Sequence, residues 1–371
     1  MAIEGPAAGR LHKRALRKPD GRDLILYSRR PIPEGIAATS AASEPSRPNP
    51  HLRWHPLRGE WVAYARYRQD RTFMPADENP LAPTADPARP TELPAGDYDA
   101  AVFPNLFPTL AETAHDPPLL SVPTRPALGA CEVVVFSRDP DATLGRLPLD
   151  QIELLIDVWA DRRRELGALP GIEYVFPFEN RGAEVGVTLP HPHGQIYAYP
   201  FVPPVPAREL ALQAAFLSEN GRGLLETIVE EELGRGGRRV VYEGPGAVAF
   251  VPVFARYAYE VWIAPRRAAP SLAELDAAER ADFARALKTV LLKYDGLWNR
   301  PFPYVAAFHQ APTDGRPHPE AHVHVEFSPA YRRSDRLKYL AGSEIGAGVF
   351  TADTLPEETA EELRRVAVDA G

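Results

Sequence analysis

Residues 188–199, TLPHPHGQIYAY, set His191 and His193 two positions apart, split by Pro192 and followed by Gly194 and Gln195. Such a pair could be a metal clip, a nucleophile with its support, or a loop without chemistry. Residues i and i+2 of a strand point to one face, so His191, His193 and Gln195 are expected in a single row. Pro192 cannot donate to a sheet ladder, which puts this strand at an edge or makes it start there. Three polar side chains in apolar surroundings are either mutually satisfied sheet-face groups or a site for phosphoryl or nucleotidyl transfer. Neutral imidazole is a nucleophile near pH 7. It needs one ring nitrogen free and the other N–H held by a carbonyl. Gln195 could donate its amide N–H to a non-bridging phosphate oxygen as charge shifts. Just upstream, Asn180 could bind phosphate and Arg181 neutralise it, although Asn and Gly also simply favour turns.

A second cluster reads FHQAP followed by HPEAHVHVEF. His322 and His324 are again spaced to share a strand face, and His309 lies upstream. With a carboxylate such as Glu209 they form the N/O ligand set that zinc or iron accepts; the competing reading is a surface histidine cluster without metal. His318 is expected to be exposed, and His51 and His55, flanking Trp54, to be structural. Arg66, Arg68 and Arg71 form either a solvated face or part of a phosphate pocket.

The elements that would carry these residues occur twice. The first series runs CEVVVFSRDP, then a helical stretch in which Ile152, Leu155, Ile156 and Trp159 recur at helical spacing, then IEYVFPFENRG, then HPHGQIYAY. The second runs YEVWIAPRR, then a helix bearing Phe283, Leu287, Val290 and Leu291, then YVAAFHQAP, then HVHVEF. Each series reads strand, basic turn, helix, strand, loop and a His-x-His strand. The fold class implied is α+β: a duplicated module of mostly antiparallel sheet with packed helices. The expected division is a mobile N-terminus over 1–20, one half over 21–205 carrying HPHGQ, and a second over 206–371 carrying the metal-type cluster. Two helices are expected around ENGRG, between the halves, and a last one starts near Pro356.

Composition narrows the function. The 371 residues carry a formal net charge of −8, unlike a general nucleic-acid binder. A lone cysteine, Cys131, allows neither an internal disulfide nor a cysteine-based zinc site. No signal-peptide core or run of about 18 apolar residues occurs, so a cytoplasmic protein without membrane contact is expected. The 41 prolines gather in extended connectors such as NPLAPTADPARP. Neither a Walker loop nor a dinucleotide fingerprint is present.

Together, HPLRGEWV, FPNLFP, FENRG followed by HPHGQ, FHQAP with HVHVEF, and LKYLAGSE resemble the galactose-1-phosphate uridylyltransferases, a duplicated branch of the histidine-triad superfamily. The resemblance spans about residues 50–365. It implies a ping-pong reaction in which His193 takes UMP from UDP-glucose and passes it to galactose 1-phosphate, with Gln195 stabilising the phosphate. It further implies that Asn180 and Thr188 contact phosphates, and that Phe103 and Asn105 lie around the uridine. Arg68 and Arg71 would reach the nucleotide-sugar of a neighbouring subunit, which implies a homodimer with a shared active site. Lys338, Gly342 and Glu344 would bind the sugar, and Glu209, His309, His322 and His324 would hold one structural zinc or iron ion.

Three departures stand out. A cysteine-rich zinc segment of the family is here NPLAPT, with Asn79 and Ala82 at the cysteine positions, although His115 and His191 remain. Two imidazoles make a weak zinc site, so this second site is expected to be lost and His191 to be held by hydrogen bonds. Leu106 replaces an Asp beside the nucleotide, and Ser343 replaces a Tyr in the sugar segment. These two leave open a nucleotide-sugar phosphorylase acting on ADP-glucose or a relative with phosphate as acceptor. A catalytically silent nucleotide-binding protein is opposed by His193, Gln195 and Asn180. A metal hydrolase is opposed by the lack of HExxH.

Overall fold

A computed structural model describes residues 11–371 except 43, 46, 71–78, 190 and 235. The first half contributes β1 (His12–Arg17), β2 (Asp23–Ser28), β3 (His51–His55), β4 (Glu60–Tyr64), β5 (Ala100–Pro104), β6 (Thr124–Pro126), β7 (Ala130–Val135), α1 (Leu149–Gly167), β8 (Tyr174–Arg181) and β9 (His193–Tyr199). Then come α2 (Pro204–Asn220), α3 (Leu224–Gly234), β10 (Val240–Glu243), β11 (Ala247–Phe250), β12 (Val261–Pro265), α4 (Ala277–Leu297), β13 (Tyr304–His309) and β14 (His324–Pro329). A short hairpin, β15 (Tyr331–Arg333) and β16 (Arg336–Leu337), and α5 (Pro356–Arg365) complete the chain.

Eleven strands form one sheet in the order β1-β2-β5-β7-β9-β8-β13-β14-β12-β11-β10, and every pairing within it is antiparallel. Counting outward from the β8–β13 seam, the first half gives β8, β9, β7, β5, β2 with β1 added at its edge, and the second β13, β14, β12, β11, β10. The repeat in the sequence is thus a repeat in space, with two sheets joined edge to edge where Ala307 pairs with Phe178 and Tyr304 with Arg181.

One face of this sheet is covered by α1 and α4. Helix α1 buries Ile152, Leu155, Ile156 and Trp159, and α4 buries Phe283, Leu287, Val290 and Leu291. They join Val134, Ile196, Ala306 and Val325 from the strands in one core, each large apolar side chain contributing about 1.5–3 kcal/mol on full burial. Helix α4 starts where Asp276 accepts from the Glu279 N–H while the Glu279 carboxylate accepts from the Asp276 N–H, a reciprocal cap. Helix α2 stops at Gly221, whose φ of 70° is left-handed and suits a residue without Cβ.

Strand alternation sends His193, Gln195 and Tyr197 to the opposite face, away from α1 and α4. One expectation needs correction. Residues 12–17 of the N-terminus expected to be mobile form an edge strand on β2, while residues 1–10 lie outside the described residues. Of the two placements expected for the HPH strand, an edge or a start at Pro192, the second holds: β9 begins at His193, directly after Pro192, in the sheet interior between β7 and β8. The proline is accommodated by starting the strand, and it places His191 before the ladder.

Candidate active site

Register builds the site. Gln195 sits between Val133 of β7 and Phe178 of β8, and Val133 pairs with Phe103 of β5. Continuing the same antiparallel register sets Asn180 opposite His193. His193, Gln195 and Asn180 thus share one face on neighbouring strands, where directly opposed Cβ atoms lie about 4.5–5.5 Å apart. All three side chains are half-buried, reachable from outside yet backed by sheet.

His193 Nδ1 lies 2.7 Å from the His191 carbonyl oxygen. A carbonyl only accepts, so Nδ1 carries the proton and Nε2 presents its lone pair. Gly194 follows because nothing larger fits: a Cβ there would lie 2.8 Å from Phe136 Cζ and 2.9 Å from the Phe178 carbonyl oxygen. His191 does not join the row. It is 1% exposed, its Nε2 donates to the Ser137 carbonyl at 2.7 Å and its Nδ1 accepts from Asn79 Nδ2 at 3.1 Å. Burial lowers its pKa, consistent with a neutral ring. His115 is exposed, with Nδ1 on the Thr113 carbonyl at 2.8 Å, and shares neither of the partners that hold His191.

Arg181 is a second correction. It alternates away from Asn180 and forms a two-pronged ion pair with Asp295, at 2.8 and 3.0 Å, beside Tyr304. That geometry commits its charge to the α4 side of the sheet rather than to a phosphate. Thr188 is exposed in the loop that precedes His193 in the chain. Phe103 is buried, with Lys18 Nζ 4.5 Å from its ring centroid. Asn105 turns its side-chain oxygen to the Phe107 N–H at 2.8 Å, and Arg68 donates to the Phe107 carbonyl at 2.6 Å. Phe103 and Asn105 line a cavity of about 680 Å³ at the end of β5 and β7. Arg71 lies outside the described residues. Lys338, Gly342 and Glu344 belong to a separate arm after β16. There Lys338 donates to the Thr351 carbonyl at 2.6 Å, Glu344 accepts from the Ala341 and Thr351 N–H groups, and Gly342 opens the turn 342–347.

The second half repeats the device. His324 starts β14 as His193 starts β9, and its Nδ1 lies 2.9 Å from the His322 carbonyl; His322 Nε2 donates to the Pro265 carbonyl at 2.9 Å. Here the ring is buried under α2, whose Glu209 accepts from His309 Nδ1 at 2.5 Å. Glu209, His309, His324 and Glu326 bring one ligand atom each within 4.8 Å of one another. Glu326 was not foreseen; it occupies the position matching Gln195 and pairs with Arg256 at 2.8 Å. His322 falls outside that tight set, a difference from the expected ligands. It nevertheless lines, with Glu209, His309 and His324, a cavity of about 10 Å³, the size of one water or ion. His322 Nδ1, Gln213 Oε1 and Gln310 Oε1 are buried polar atoms without a hydrogen-bond partner, as is His324 Nε2, which lies 3.7 Å from Glu326 Oε1, and all four residues line it. Acceptors converging on one small void, with no donor among them, suit a cation. His318, expected to be exposed, is instead held between Asp314 and Glu320 at 2.9 Å each.

A sheet built of two related halves, one presenting a carbonyl-locked imidazole beside an amide and the other burying its counterpart, is that of an α+β protein with a duplicated histidine-triad-like module. Residues 41–203 match the galactose-1-phosphate uridyl transferase N-terminal domain, and residues 209–370 match its C-terminal domain. The chain belongs to the galactose-1-phosphate uridylyltransferase family. It is 39% identical over 369 residues to the Streptomyces lividans galactose-1-phosphate uridylyltransferase, covering 96% of this chain and 98% of that protein. With that of Thermotoga maritima it shares 38% over 326 residues, 86% of this chain and 99% of the other. Among solved structures, one described as uridylyltransferase superposes with a TM-score of 0.77 at 34% identity, covering 85% of this chain and 98% of that one. An ADP-glucose phosphorylase from Arabidopsis thaliana shares the fold, with a TM-score of 0.65 at 23% identity.

Proposed function

We propose that this chain transfers UMP from UDP-glucose to galactose 1-phosphate through a covalent uridylyl-His193 intermediate, in galactose metabolism. The observation that carries this reading is the 2.7 Å bond from His193 Nδ1 to the His191 carbonyl. It leaves Nε2 as the nucleophile at neutral pH and stabilises the cation that forms when that nitrogen is substituted. Nε2 attacks the α-phosphorus, a P–N bond forms, and glucose 1-phosphate leaves. A phosphate oxygen of galactose 1-phosphate then attacks the same phosphorus and frees Nε2. Gln195 and Asn180, on the same face, hold the non-bridging oxygens as their charge grows. Thr188 contacts the phosphates, and Phe103 and Asn105 border the nucleoside.

Glu209, His309 and His324 would hold one zinc or iron ion, with Glu326 or His322 completing the set. When bound, that ion ties α2 to the sheet and carries no chemistry. We assign no second metal, since His191 is occupied by Asn79 and Ser137. The arm after β16 exposes Tyr339, Ile345 and Val349, at 75%, 63% and 62%, and its Lys338, Gly342 and Glu344 would reach the site of a second copy in a homodimer, as would Arg68 and Arg71. The halves divide at residues 205–206. Among the described residues no helix is long and apolar enough to cross a membrane; we place the protein in the cytoplasm.

Incubation with radiolabelled UDP-glucose and, separately, ADP-glucose, followed by denaturation, tests the reading. Acid-labile label from UDP-glucose, discharged by galactose 1-phosphate, is expected. Label from ADP-glucose discharged by inorganic phosphate would replace it with the phosphorylase that Leu106 and Ser343 keep in view.

A further inference from the structure

The two halves use one carbonyl lock but hold its first histidine differently. His322 and His191 both donate Nε2–H to a backbone carbonyl, and both lend their own carbonyl to the imidazole two residues on. His322 Nδ1 has no partner, whereas His191 Nδ1 accepts from the Asn79 amide at 3.1 Å. Asn79 is itself fixed. Its Oδ1 accepts from the Leu81 N–H at 3.0 Å, and its neighbour Pro80 accepts through its carbonyl from the Glu92 N–H at 2.9 Å. The Glu92 carboxylate is held in turn by Lys18 and by Arg22, at 2.5 and 2.7 Å. A rigid chain of contacts therefore runs from the β1–β2 edge through the proline-rich segment to the His191 ring.

We propose that Asn79 is a positioning residue for transfer: its amide N–H clamps the His191 ring against Ser137, and so fixes the backbone carbonyl that aims His193. This rests on His193 being the nucleophile. The ring is gripped at both nitrogens, so it cannot turn, and the peptide carbonyl it carries keeps the direction required by His193 Nδ1.

Asn79→Asp keeps the acceptor that anchors Leu81 and removes the donor to His191; Asn79→Gln keeps an amide donor. Single-turnover labelling from UDP-glucose is expected to slow roughly ten-fold or more in Asn79→Asp, on the scale at which about 1 Å of misplacement costs about a hundred-fold. KM should stay unchanged, and Asn79→Gln should recover most of the rate. Nitrogen-15 shifts of the unaltered protein should show His191 Nδ1 without a proton, and Asn79→Asp should shift that signal. Parental labelling by Asn79→Asp, equal slowing by both variants, or a proton on Nδ1 in the unaltered protein would overturn the proposal. Should Asn79→Asp not fold, the last measurement still decides it. An unaltered chain that takes no label would instead remove the transfer reading on which it rests.

Discussion

Gly194 lies between the two residues assigned to phosphate chemistry, and Gly194→Ala tests whether the sheet aims them. The added Cβ would stand 2.8 Å from Phe136 Cζ and 2.9 Å from the Phe178 carbonyl oxygen, where ordinary carbon contacts lie at about 3.5–4.0 Å. Neither neighbour yields readily. Phe136 is fully buried with its ring edge-on to Trp159 at 5.9 Å, and Phe178 O is backbone of the paired strand. Strand β9 must retreat by roughly 0.7 Å to restore contact distance. Overpacking of this kind costs about 1–3 kcal/mol, or about 2–4 °C of melting temperature per kcal/mol. The displacement passes straight to His193 and Gln195, and about 1 Å of misplacement costs about a hundred-fold in rate. Single-turnover labelling from UDP-glucose should therefore fall roughly ten- to a hundred-fold while the protein still folds. Thermal unfolding and the labelling rate would be measured on one preparation. A variant that melts lower yet labels at the parental rate would refute the claim that β9 sets the aim of Nε2; one that melts and labels normally would refute the packing argument as well.

His193→Gly should abolish labelling and turnover with little change in melting temperature, since the ring is only half-buried; turnover in that variant would sink the covalent route. Metal analysis should find one zinc or iron per chain, and His324→Ala should remove it and lower the melting temperature; two metals per chain would contradict the reading of His191. Burial pushes the Glu179 carboxyl up to about 7 from 4.5, against the opposing pull of Arg181 and the Tyr304 hydroxyl that donates to it. Because the folded state holds this proton more tightly than the unfolded chain, stability should fall as pH rises from about 4.5 to about 7. Glu179→Gln should therefore be near neutral at the acid end and stabilising by about 1–3 kcal/mol above neutrality; denaturant melts of both proteins across that range would show parallel slopes if this is wrong.

The repeated order of strand, helix, strand and His-x-His made the fold legible, because helical spacing in α1 and α4 and alternation in the strands each report a buried face. The β8–β13 seam was not legible, since no local pattern says which edges of two similar halves will meet. HPHGQ announced the tautomer lock, and Pro192 announced a strand start. What proline could not reveal was that the start lies in the sheet interior. Arg181 read as a phosphate ligand because the sequence hides Asp295, its partner on a distant helix. Glu326 went unnoticed because its neighbours His322 and His324 carried the metal pattern, although it matches Gln195 in the repeat. Asn79 was seen only as a missing cysteine; its bond to His191 spans more than a hundred positions, which no spacing rule reaches.

Joining the two halves edge to edge at β8–β13 has a consequence for how such a site can change. In a symmetric pair of separate chains, any substitution appears twice, so neither copy can be specialised without altering the other. Written into one polypeptide, the copies are released from that constraint. One holds its imidazole half-buried with an amide at the next position of its row. The other has closed a helix over the same geometry and set a carboxylate where the amide would be. The seam sets the half that buries its imidazole as the wall beside the one that presents it.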